Sequence, residues 1–180
     1  MAQPKLVGIS GSLRRDSHNT LLLAEAARLF GDADYNLLDI NFPLYNGDDE
    51  QAHGVPAAVE AVAQQIAQAD AVLISTPEYN KGPSGVLKNA LDWISRAKVK
   101  PWTDKPVAVM SAASGRAGGE RAQLVLRSFL VTFRPRLLTG PEIHVAASHD
   151  AFDMDGRLKG DIYVKELTEL MQALRADIQG

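Results

Sequence analysis

Ala71-Val72-Leu73-Ile74-Ser75-Thr76-Pro77-Glu78-Tyr79-Asn80 decides how the rest of the chain is read. Its first four residues are apolar without alternation, the pattern of a parallel strand covered on both faces. Pro77 has no N–H to give a neighbouring strand, so the strand must stop there. A polar, aromatic loop follows through Pro83. Ser84 then opens an amphipathic stretch, Gly85 to about Arg96, with the spacing of a helix. Strand, polar loop and helix place the loop at the carboxyl edge of a sheet, where open α/β sheets bind ligands.

The same unit recurs on either side. Leu6-Val7-Gly8-Ile9 is a first buried strand, and Ser10 to Ser17 a loop rich in hydroxyls with Arg14 and Arg15. Ser17 or Asn19 is placed to cap a helix running to Gly31. Tyr35–Ile40 reads as a second strand, Asn41–His53 as a long polar connection without regular pattern, and Val55–Gln68 as a helix. A connection of that length suggests a functional or interface loop. After the central unit come a fourth strand at Pro106–Ser111, the loop Ala112–Gly119 and a helix from about Glu120 to Phe133. A fifth strand between Arg136 and Val145 is interrupted by Gly140-Pro141, and a last helix spans about Ile162 to Ile178. Alternation of five strands and five helices predicts an α/β fold of three layers: a five-stranded parallel sheet with helices on both faces. The strand order 2-1-3-4-5, the flavodoxin-like one, is expected because it makes strands one, three and four neighbours. Their loops, the three richest in polar groups, then converge on one crevice.

Composition sets the bounds. The 180 residues suit one domain, spanning 1–180, and no repeat or linker divides them. A net charge of −3 gives no basic surface for nucleic acid or an anionic membrane. No apolar run approaches the roughly 20 residues that span a bilayer, and Met1–Lys5 run directly into a strand, so no signal segment is expected. The absence of cysteine removes disulfides and thiol chemistry and fits a cytoplasmic protein.

The three loops divide the chemistry. A helix amino end with Ser10, Ser12 and Ser17 hydroxyls and an arginine is suited to a phosphate. The spacing is neither Gly-x-Gly-x-x-Gly nor a Gly-Lys-Ser/Thr loop, which disfavours a dinucleotide across the first turn and a nucleotide triphosphatase. Pro77, Glu78, Tyr79 and Asn80 offer a flat ring and hydrogen-bonding groups, and Ser114–Gly119 lets backbone approach a ligand closely. Together they outline a planar ring with a phosphate tail, the shape of FMN.

Gly11-Ser12-Leu13-Arg14-x-x-Ser17-x-Asn19, Pro77-Glu78-Tyr79-Asn80 and Gly85–Trp93 resemble the NAD(P)H-dependent FMN reductase family, a flavodoxin-like group that includes bacterial quinone and chromate reductases and some azoreductases. The resemblance implies a single FMN-binding domain with FMN held without a covalent bond. Ser10, Ser12, Leu13, Arg14, Ser17, Asn19 and Thr20 would hold phosphate and ribityl. Pro77, Glu78, Tyr79 and Asn80 would hold the ring system, with Ser114, Gly115 and Gly118 closing one side. It implies a ping-pong cycle in which hydride passes from NAD(P)H through FMN to quinones, flavins or similar small acceptors, without a catalytic side chain or a metal. It also implies a homodimer or homotetramer. Arg116 is a candidate for steering the anionic dinucleotide, its alternative a solvated loop arginine. His18 reads as a solvated loop histidine, with charge for the phosphate loop as the alternative. Trp93 and Trp102 are either core residues or an outward interface. The rival functions are a flavodoxin-type electron carrier without NAD(P)H activity, which the weak net charge does not favour, and an α/β module that retains no flavin.

Overall fold

The computed structural model describes residues 3–179. Six strands form one parallel sheet: β1 (Lys5–Ser10), β2 (Asp34–Leu38), β3 (Ala71–Thr76), β4 (Pro106–Ala112), β5 (Arg136–Leu137) and β6 (Ile143–Val145). The order is β2-β1-β3-β4-β5, with β6 also on β4. The fifth strand is thus two pieces: β5 pairs with Pro106 and Val107 at the start of β4, and β6 with Met110–Ala112 at its end. Gly140-Pro141 lies in the gap, where proline cannot donate to a ladder. The expected 2-1-3-4-5 order is the one observed.

The described residues form six helices, α1 (His18–Phe30), α2 (Gly47–His53), α3 (Ala57–Gln68), α4 (Gly85–Arg96), α5 (Glu120–Val131) and α6 (Asp161–Asp177), of which all but α2 bury residues against the sheet. Residues of α3, α4 and α5 pack with Val7, Ile9, Val72, Ile74, Val107 and Val109 on one face. Those of α1 and α6 pack with Leu6, Leu73, Ala108 and Met110 on the other. Adjacent residues of β3 and β4 therefore serve opposite layers, and both strands are buried throughout. In α4 the buried residues Leu87, Ala90, Leu91 and Ile94 recur at helical spacing. Each large one is worth about 2–3 kcal/mol of burial. Ser84 caps this helix by accepting from the Leu87 N–H at 3.3 Å.

One expectation is corrected, and of the two readings left open for the tryptophans the core one is observed. The connection Asn41–His53 is not irregular: Gly47–His53 is helical. It has no buried residue, hence no apolar stripe to read. It is held by its Asn46 cap, by Asp48, Asp49 and Glu50 against the positive end of the dipole, and by Gly54 at its close. The two tryptophans do not project as an interface, since each is only 2% exposed. The Trp93 indole N–H donates to Pro43 O at 2.8 Å, and Tyr45 meets the ring edge-on at 5.0 Å. Asn89 adds bonds to Pro43 O and from the Tyr45 N–H. The polar connection is thereby fastened along α4.

Helix α1 itself carries a buried charge. Glu25, 2% exposed, accepts from Arg28 at 2.7 Å and 2.8 Å, and from Arg157 at 3.3 Å. The Arg28 hydrogen bond is the largest cause holding this carboxyl below the usual range, against the opposing effect of burial. A depressed folded-state value means that the stabilisation is complete above the unfolded value near 4.5 and is lost as pH falls through the folded one. Glu25→Gln is expected to cost roughly 2 kcal/mol at pH 7 and to flatten the loss of stability on acidification, as read by urea unfolding at stepped pH.

Candidate active site

The three central strands end in hydroxyls at matching levels. Ser10 pairs with Ser75 across β1 and β3, and Thr76 with Ser111 across β3 and β4. All four are buried, and each lies at or one residue before the end of its strand. Ser10 Oγ is 3.3 Å from both the N–H and the carbonyl of Ser12, and also accepts from Thr20 Oγ1 at 3.0 Å. The Thr76 hydroxyl donates to Pro77 O at 2.9 Å, and the Ser111 hydroxyl to Gly118 O at 2.6 Å. Ser75 Oγ donates to Asn19 Oδ1 at 2.8 Å.

Asn19 joins the three. Its Oδ1 also accepts from the Ala112 N–H at 3.0 Å, and its Nδ2 donates to Ala112 O at 2.9 Å. The side chain thus imitates a further strand against the end of β4 while holding β3. The start of α1 is fixed to both neighbours. At the Gly11 turn the N–H donates to Ser75 O at 2.7 Å, and a β-carbon there would lie 3.1 Å from Ser84 Oγ and 3.2 Å from Pro77 Cδ. Glycine lets the first loop press on the second.

A cleft of about 300 Å³ opens above this edge, lined by Ser12, Arg14, Ser17, His18, Asn19, Pro77, Glu78, Tyr79, Ala112, Ala113, Ser114, Ser148 and His149. A second, more apolar cleft of about 390 Å³ adjoins it between the first loop and α4, lined by Gly11, Leu13, Arg14, Tyr79, Ser84 and Val86 among others. Ser12, Arg14 and Tyr79 border both. Ser17 is the α1 cap, accepting from the Thr20 N–H at 3.3 Å. The first turn of α1 carries no acidic residue, so its amide end keeps its positive character.

The expected residues therefore separate into groups. Ser12, Leu13, Arg14, Ser17, Pro77, Glu78, Tyr79 and Ser114 border a cleft. Ser10 and Thr20 bond to each other beneath it, and the Asn19 amide is taken up by protein partners. Asn80 sits at the exposed tip of a turn, and Gly115 and Arg116 are exposed beyond the cleft wall. Gly118, with φ +60°, faces β6 so closely that a β-carbon would collide with the His144 carbonyl. Sequence reasoning missed the loop after β6, which brings Ser148 and His149 to the cleft; of its two readings of His18, the preferred solvated one gives way to a side chain that lines the cleft.

The second loop is a tight hairpin. The Tyr79 N–H donates to Gly82 O at 2.9 Å and the Gly82 N–H to Tyr79 O at 3.1 Å. Asn80 and Lys81 both have positive φ, 51° and 69°, the backbone of a type I′ turn. The turn leaves Tyr79 53% exposed above the cleft. Glu78 beside it lines the cleft but is engaged by protein: its carboxylate accepts from the Ala122 N–H at 3.2 Å and lies 3.5 Å from Lys81 Nζ. The N-cap of α5 is Gly119, which has no side chain to cap with, so the second loop supplies the missing acceptor.

Comparison with known proteins shows the family. The chain matches the family described as NADPH-dependent FMN reductase over residues 4–151. An NAD(P)H-dependent FMN reductase of Pseudomonas aeruginosa is 44% identical over 173 residues, covering 95% of this chain and 93% of that protein. A quinone reductase of Escherichia coli K12 is 43% identical over 143 residues, covering 77% and 75%. Among solved structures, the flavoenzyme FerB of Paracoccus denitrificans, an NAD(P)H:(acceptor) oxidoreductase, aligns at a TM-score of 0.86 with 32% identity, covering 98% of this chain and 97% of that one.

Asn19→Ala strips partners from two buried backbone groups and a hydroxyl, and is expected to lower stability by about 3 kcal/mol in denaturant unfolding. Lys81→Gly removes a left-handed lysine and should raise stability by roughly 1 kcal/mol, seen as a higher Tm.

Proposed function

The chain belongs to the NADPH-dependent FMN reductase family, and on that premise we propose that its cleft holds FMN and that the protein, a single FMN-binding domain, reduces quinones and related small acceptors with NAD(P)H. The observation that carries the assignment is the donor set at the first-loop end of the cleft. Ser12, Arg14, Ser17 and His18 meet there with the amide end of α1, and the one carboxylate on the cleft wall, Glu78, is engaged by α5. That set fits a phosphate monoester.

When bound, FMN supplies the redox chemistry, taking two electrons from NAD(P)H and passing them to an acceptor. The protein's part is to position and desolvate. Arg14 offsets the phosphate charge, while the Ser12 and Ser17 hydroxyls and the free N–H groups of α1 orient it. Pro77, Tyr79 and Ser114 wall the space that the ring system takes. Tyr79, bordering both clefts, separates the polar space from the more apolar one, where a flat acceptor finds contact. Ser10, Asn19 and Thr20 hold the floor beneath. No side chain is assigned as acid or base. Arg116, exposed in the third loop, steers the anionic dinucleotide.

The protein works in the cytoplasm as a homodimer or homotetramer. The lack of cysteine and the exposed apolar side chains Leu13, Leu44 and Tyr79 support this. Among the described residues no helix is long and apolar enough to cross a membrane.

The test is the visible spectrum of the purified protein, followed by anaerobic NADPH or NADH and then a quinone. A flavin spectrum that bleaches with pyridine nucleotide and returns with quinone is expected. A flavin spectrum that neither nucleotide bleaches would indicate an electron carrier, and a colourless protein that takes up no FMN would contradict the site. Arg116→Ala is expected to raise KM for NAD(P)H about fivefold, the worth of roughly 1 kcal/mol for an exposed charge contact, with flavin content unchanged. An unaltered KM would remove its steering role.

A further inference from the structure

His18 is the one aromatic cation-former in the cleft that is held from two sides. Its Nδ1 lies 3.0 Å from Ser148 Oγ, and its ring stacks on Phe152 at 5.9 Å and 21°. Both partners come from the loop after β6, and Ser148 is itself buried. The loop is fastened to α1 a second time by the Arg157–Glu25 ion pair. The imidazole therefore has a set orientation at the mouth of the phosphate-binding end, beside Arg14.

The contact with Ser148 is compatible with either charge state. A hydroxyl donates to the unprotonated Nδ1 of a neutral ring and accepts from the N–H of a charged one. The ring can gain a proton without moving. The charged groups around it are unbalanced. Arg14 faces it from the first loop and His149 from the loop after β6. In that loop Asp150 is engaged with His149 at 3.2 Å. The first turn of α1 offers no acid, and Glu78 across the cleft bonds to α5. Burial, then Arg14, then His149 hold the free imidazole below its ordinary value. A phosphate dianion entering the cleft is the missing counter-charge.

We propose that His18 is a proton-linked anchor for the phosphate of the bound flavin, taking up a proton as the phosphate enters and so selecting phosphorylated over unphosphorylated flavin more strongly as pH falls. This rests on the FMN assignment above. Binding a dianion raises the imidazole pKa, so affinity grows as pH drops through the bound-state value and levels off below the free-state one. The useful window lies above about pH 6, where a phosphate monoester remains a dianion.

The experiment titrates flavin-free protein with FMN and with riboflavin at about pH 8 and pH 6.5, following quenching of flavin fluorescence. FMN should bind roughly three- to tenfold more tightly at the lower pH, within the ~30-fold ceiling for one linked proton over that interval, while riboflavin changes little. His18→Phe keeps a ring to stack on Phe152 and should lose the FMN slope. In the wild-type protein the imidazole proton resonances of His18 should titrate at higher pH with FMN bound than without. Retention of the slope in His18→Phe, the same slope for riboflavin, or an unmoved imidazole titration would overturn the proposal while leaving FMN binding intact. Failure of the wild-type protein to bind FMN at either pH would overturn the site assignment, and this inference with it.

Discussion

One side-chain amide holds the functional edge together. Three neighbouring strands that end at the same level have unpaired backbone groups and loops free to splay. Asn19 answers both at once, because an amide has the donor and acceptor of a peptide and can extend the β4 ladder while its oxygen also takes the Ser75 hydroxyl. Buried polar groups of this kind are costly to leave unpaired. The arrangement therefore favours a single geometry in which the start of α1, the exit of β3 and the exit of β4 are fixed relative to one another. The cleft is the space left above that fixture.

The loops divide support from recognition in a way that their compositions do not announce. Glu78 is the clearest case. A carboxylate beside an exposed tyrosine invites a role in ligand contact, yet it caps α5 from outside. That bond ties the second loop to the element carrying the third. Gly118 likewise faces β6 rather than the cleft, and Ser111 and Gln123, bonded to each other at 2.9 Å, hold that approach from below. Under the proposed FMN assignment, what remains for a ligand along this cleft is a smaller set: Ser12, Arg14, Ser17, His18, Pro77, Tyr79, Ser114, Ser148 and His149.

Much of this was legible in the sequence. Uninterrupted apolar runs marked the central strands, since residues buried on both faces leave no alternation, and the polar loops after strands one, three and four implied their adjacency. Ser84 and the apolar spacing after it gave α4 to the residue. Short-range signals narrowed the α1 cap to Ser17 or Asn19, of which Ser17 is the one observed. Features missed were of two kinds. Helix α2 buries nothing, so it writes no periodicity, only a cap and a run of acids. The contributions of Ser148 and His149, the docking of His18 on Ser148 and Phe152, and the inward commitment of Asn19 depend on residues as much as 130 positions apart in sequence, which no local pattern encodes.

The central claim is that loops at one edge of the sheet form a single preorganised FMN site. Backbone hydrogen exchange of the flavin-free protein, with and without added FMN, tests it most directly. The account predicts slower exchange on FMN binding in residues 11–19, 77–82 and 113–118 and in the loop around Ser148, with no change at the opposite edge around Pro4, Asp32 and Asp70. Protection confined to one loop, or appearing at that opposite edge, would contradict it.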